Sequence, residues 1–73
     1  MISTRKQAER EGATLGRGAG TGKPTANVAA SAGYYAKHLA VPERWETVFK
    51  AAFGRAFRRA AASLRPTQEA DPS

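Results

Sequence analysis

The stretch Phe49–Ala62, "FKAAFGRAFRRAAA", sets three phenylalanines four residues apart, with three arginines between and after them. A spacing of four returns to the same side of an α-helix, so Phe49, Phe53 and Phe57 form one row. With Trp45 as origin and about 100° per residue, Phe49, Ala52, Phe53, Ala56, Phe57, Ala60 and Leu64 fall within an arc from about −20° to +120°. Val48 widens that arc. Lys50, Gly54, Arg58 and Arg65 fall on the far side. Pro42 suits a first helical turn, and Pro66 ends the pattern. Glu43 and Glu46 near the start, with Arg58, Arg59 and Arg65 toward the end, complement the helix dipole. The stretch therefore predicts an amphipathic helix over about 42–65.

Immediately upstream, "PTANVAASAGYYAKHLA" places Val28, Ala32, Tyr35, Ala36 and Leu39 on one helical face. Pro24 and Thr25 suit its start. Val41 precedes a proline and is pushed out of the helical region, which ends it. The expectation is a helix over about 25–40, antiparallel to the first, with the phenylalanine row packed on Val28, Ala32, Tyr35 and Leu39. Within "VAASAGYYAKHLAVP", Ala29, Gly33, Tyr34 and Leu39 form a pattern similar to the helix-turn-helix of lac-repressor-type headpieces, over about a dozen residues. That resemblance implies a turn at Gly33 and DNA binding. Pro42 departs from it, falling where the second helix should still be packing. The reading preferred here is one unbroken helix.

Residues 1–23 read differently. Ser3 or Thr4 can cap two or three turns of "STRKQAERE", but that segment has almost nothing apolar to bury. Five glycines between Gly12 and Gly22 then raise the entropic cost of any regular element. The expectation is a flexible, basic, glycine-rich arm. Residues 66–73, "PTQEADPS", read as a short acidic disordered tail. The fold class is thus all-α, as an arm (1–23), a helical hairpin (24–65) and a tail (66–73). Roughly a dozen large apolar residues in a 73-residue chain make a marginal core. Two helices bury too little alone, which points to self-association or a host partner.

No catalytic motif is present. The glycine stretch "LGRGAGTGKPT" is not a phosphate loop. That motif needs its first glycine at position 17, which is arginine, and a hydroxyl after Lys23, where Pro24 stands. The dinucleotide pattern also fails, reaching Thr21 from Gly16 and Lys23 from Gly18. There is no cysteine, so disulfides and cysteine-based zinc sites are excluded, and a reducing compartment suits the chain. One histidine, His38, and six scattered acids make no metal or triad spacing. No cofactor, metal or small-molecule substrate is expected. No apolar run approaches the roughly 18 residues of a membrane span, and the first residues lack a secretory signal's apolar core. The cytoplasm is the expected location.

Net charge carries the functional reading. The chain is +6, with +3 in residues 1–23, +1 in 24–41, +4 in 42–65 and −2 in 66–73. Two basic blocks favour nucleic acid or an acidic protein surface as partner. Five of the six bases in 42–65 are arginine, whose planar donors match phosphate oxygens. The leading expectation is a small, non-catalytic accessory protein that binds nucleic acid or a nucleoprotein complex by its phosphates. Arg5, Lys6, Arg10, Arg17 and Lys23 would act from the arm. Lys50, Arg55, Arg58, Arg59 and Arg65 would act from the helix. The alternative is a protein-interaction module, an inhibitor or assembly factor. It would dock Trp45, Phe49, Phe53 and Phe57 in a partner's groove, unless these form the core. Tyr34 and Tyr35 are consecutive, so only one can face the core. Tyr35 shares the apolar face, which leaves Tyr34 to meet a partner.

Overall fold

The computed structural model describes residues 2–64. They form three helices: α1 (Arg5–Gly22), α2 (Val28–His38) and α3 (Glu43–Ser63). The all-α class and the two-helix hairpin are as expected, with ends within a few residues of the predicted ones. Arg65 and the acidic tail lie outside the described residues.

The finding that changes the architecture is α1. Where the glycine content predicts a flexible arm, the chain forms an 18-residue helix that contains all five glycines of the stretch. Its start is well capped. The Thr4 hydroxyl accepts from the Gln7 amide at 3.1 Å, and the Ser3 amide donates to the Gln7 side-chain oxygen at 2.8 Å. Ile2, just ahead of that cap, is buried in the core.

The reason the glycines are helical is what faces them. Ala8, Gly12, Gly16 and Gly20 recur every four residues and are the buried residues of α1. A Cβ on Gly12 would stand 2.5 Å from the Phe49 carbonyl oxygen, and one on Gly20 would stand 2.5 Å from that of Phe57. On Gly16 it would meet the Phe53 carbonyl oxygen closer still, with the Phe53 carbonyl carbon at 2.9 Å. Each of these glycines therefore lies directly against the α3 backbone. Their numbers rise together with those of the phenylalanines, so α1 and α3 run parallel in a four-against-four register. Such close approach lets Cα–H groups face carbonyl oxygens, each contact worth about 0.5–1 kcal/mol. A helix with few large side chains thus buries its own backbone against a neighbour and helps to enclose that neighbour's aromatic row. The glycine helix penalty, about 1 kcal/mol per residue, is offset by this tertiary contact. Gly18 and Gly22 face open space.

Helix α2 returns along α3 on another side. It is continuous through Gly33, so the turn implied by the repressor resemblance is absent. Its cap is Asn27 rather than Thr25: the Asn27 side-chain oxygen accepts from the Ala30 amide at 2.9 Å. Residues 24–26 are spent on the reversal from α1. Val28 stands close to Gly54, which is buried rather than on a solvent face as the wheel suggests. Tyr35 packs on Phe53 with ring centroids 5.5 Å apart.

The core is the phenylalanine row. Phe49 and Phe53 are fully buried and Phe57 nearly so, with adjacent centroids 6.4 and 6.1 Å apart. Each buried ring stabilises the fold by about 1.5–3 kcal/mol. Ile2, Ala8, Ala32 and Ala36 complete it, with Trp45 and Val48 packed at its edge.

The α2–α3 connection contains the one left-handed non-glycine residue among those described, Ala40 at φ 54°. The Val41 amide donates to the Ala36 carbonyl at 2.9 Å and the Ala40 amide to that of Lys37 at 3.1 Å. These bonds make a Schellman cap whose left-handed position normally holds glycine. Ala40→Gly is expected to raise stability by about 0.5–1 kcal/mol, by relieving the Cβ clash at that φ. Denaturant midpoints with an unchanged slope check it, and a loss of stability would contradict the cap.

Candidate phosphate-binding groove

Helices α1 and α3 meet along their glycine and alanine faces, which leaves a shallow groove of 730 Å³ beside the contact line. Its floor is small: Ala13 from α1 and Ala52, Ala56 and Ala60 from α3. Its walls carry Arg17 from α1, with Arg55 and Arg59 from α3. Arg55 and Arg59 are one helical turn apart, so their stems rise from neighbouring positions about 6 Å apart along the axis. Arg17 shares its helix face with Ala13 and Thr21, four residues to either side. Hydroxyls of Thr21 and Ser63 line the same end.

Three arginines thus converge from two helices, and all three are exposed. One carboxylate, Glu9, also lines the groove, and it is held by Arg5 at 3.4 Å. None of the three arginines takes part in the ion pairs among the described residues, which are Arg5–Glu9 and Lys50–Glu46. Guanidinium groups on an apolar floor, with their hydrogen-bonding edges free, offer planar donor pairs to phosphate or carboxylate oxygens.

The remaining basic candidates are dispersed. Arg5 is engaged with Glu9, while Lys6 and Arg10 are exposed on the first half of α1. Lys50 pairs with Glu46 at 3.0 Å and, with Arg58, borders a different hollow between α2 and α3. The Arg55–Arg58–Arg59 set is therefore split, with Arg58 on the α2 side. Lys23 caps the end of α1 and borders a third hollow with Tyr34 and Tyr35. Phe49, Phe53 and Phe57 are core, Trp45 is half-buried, and Tyr34 is 62 % exposed.

Arg17 is one of the expected basic residues, but nothing in the sequence of a flexible arm brings it to Arg55 and Arg59. The signal that pairs them was in plain view: Ala8, Gly12, Gly16 and Gly20 repeat at the spacing of Phe49, Phe53 and Phe57. Glu9, Thr21 and Ser63 entered the groove without any earlier notice.

Among the described residues no group of three or more histidine, cysteine or acidic side chains is placed to hold a metal ion. No described helix is long and apolar enough to cross a membrane. No protein-family model, curated protein or solved structure matches this chain.

Proposed function

We propose that this chain is a small, non-catalytic, basic accessory protein of the cytoplasm that binds nucleic acid, free or within a nucleoprotein complex, mainly through phosphates. The observation that carries this reading is the groove in which Arg17, Arg55 and Arg59 converge over an alanine floor. A net charge of +6 supports the same partner class. The alternative, an aromatic helix docked into a partner protein, would require α1 to leave α3, because the three phenylalanines are enclosed within the monomer.

The test is anisotropy of a labelled 15-nucleotide strand, titrated across a salt series. The wild-type affinity is expected to fall steeply as salt rises, because each phosphate contact releases counterions. The triple variant Arg17→Gln, Arg55→Gln, Arg59→Gln is expected to flatten the log–log salt slope by about 2, at roughly 0.7 per single-strand phosphate contact. The pair Lys50→Gln, Arg58→Gln removes two charges outside the groove and is expected to leave the slope nearly unchanged. Absence of binding at low salt, or a triple variant that binds like the wild type, overturns the proposal.

A further inference from the structure

The hollow on the other side of α1 holds the most exposed large aromatic side chain among the described residues. Tyr34 is 62 % exposed, yet its ring is braced. It stacks on His38 one turn later, with centroids 5.7 Å apart and planes within 9°. It also meets Tyr35 edge-on at 5.2 Å, and Tyr35 in turn rests on Phe53 in the core. An exposed ring anchored in this way is already ordered before any ligand arrives, so binding would cost it little rotamer freedom. Tyr34 borders a hollow of 670 Å³ together with Lys23, Ser31 and Thr14, whose other walls are mostly glycine and alanine. The hollow thus puts an aromatic ring, a lysine and two hydroxyl-bearing residues on one surface.

The position of this hollow relative to the arginine groove gives the ligand class. The last turns of α1 separate the two: Arg17 and Thr21 border the arginine groove, and Gly18 and Gly22 border the tyrosine hollow. Gly18 and Gly22 carry no side chain, and nothing stands within 4 Å of where a Cβ on either would project. A chain crossing α1 at this point meets bare backbone on its way from the arginines to the tyrosine.

We infer that Tyr34 is a stacking platform for an unpaired base, and that the nucleic acid bound by this protein is single-stranded. Its phosphates lie along Arg17, Arg55 and Arg59, the strand passes over the Gly18–Gly22 surface, and a base stacks on Tyr34 with Lys23 nearby. A duplex keeps its bases inside and cannot present one to this ring, whereas a single strand offers a π-face at every nucleotide. The inference rests on the phosphate-groove reading and narrows it to one strand type.

The test compares a labelled 15-nucleotide single strand with a 15-base-pair duplex on the wild type, Tyr34→Ala and Tyr34→Phe. Tyr34→Ala is expected to weaken single-strand binding by about 5- to 150-fold, the loss of one stacked base. The wild type is expected to bind the single strand more tightly than the duplex, and equal or tighter duplex binding overturns the single-strand assignment. The weaker duplex binding is expected to be the same in Tyr34→Ala as in the wild type, and Tyr34→Phe to retain most single-strand affinity. Because Tyr34 is largely exposed, far-UV circular dichroism of the variants should match the wild type. Undiminished single-strand binding by Tyr34→Ala, or an equal loss on both polymers, overturns the platform. Those results leave the arginine groove standing. Failure of the wild type to bind either polymer brings down the groove reading itself.

Discussion

Replacing Gly16 with alanine is expected to destabilise the protein by about 2–3 kcal/mol, although alanine is the better helix former by about 1 kcal/mol. The added methyl would collide with the Phe53 carbonyl group, which is backbone inside α3 and cannot rotate away. The helices must then separate along the line that carries Gly12 and Gly20 as well. A gap of even 0.5–1 Å forfeits a quarter to a half of the dispersion attraction at each contact. In a domain of this size the melting temperature should fall by roughly 10–20 °C. Gly18→Ala is the matched comparison: same helix, two residues on, with open space around its Cβ. It should gain up to about 1 kcal/mol from helix propensity alone. Thermal or urea denaturation followed by circular dichroism separates the two. If both substitutions stabilise equally, α1 is not docked on α3 in solution, and Arg17 does not belong with Arg55 and Arg59.

Phe53→Ala is expected to cost about 3–5 kcal/mol, enough to abolish cooperative folding in a domain this small. Phe53 is the middle of the row and is fully buried. Its ring touches Phe49, Phe57 and Tyr35, and its backbone receives Gly16. Truncation leaves a cavity between Gly16 of α1 and Tyr35 of α2, so all three helices lose packing at once. Denaturant titration and amide hydrogen exchange report it, with protection expected to collapse in all three helices together. Loss of protection in α2 alone, or a cost under about 1 kcal/mol, would mean that the aromatic row is not the centre of the core. A folded Phe53→Leu variant keeps the measurement interpretable where the alanine variant does not fold.

The sequence alone determined the two helices that announce themselves by apolar side chains. The phenylalanine row repeats at helical spacing, and Val28, Ala32, Tyr35, Ala36 and Leu39 share a face, so the hairpin was legible. Its detailed packing was not: Leu39, expected against the phenylalanines, is exposed, and Val28 stands by Gly54. The burial of the phenylalanines and the exposure of Tyr34 followed from the same periodicity. Local chemistry did not identify α1, because the face it buries is made of missing side chains. Hydrophobic patterning registers what a residue adds to a core, and Gly12, Gly16 and Gly20 add nothing. They allow the α3 carbonyls to approach, and that benefit exists only when α3 is present. Local propensity counts each glycine as a helix breaker, which is correct for an isolated segment and is overridden here by contact with a partner helix. The composition of the basic set was therefore readable, and its grouping was not. On a single helix wheel Arg55 and Arg58 both lie off the apolar arc. Only the placement of α1 on one side of α3 and α2 on the other put Arg55 and Arg59 with Arg17 and left Arg58 apart.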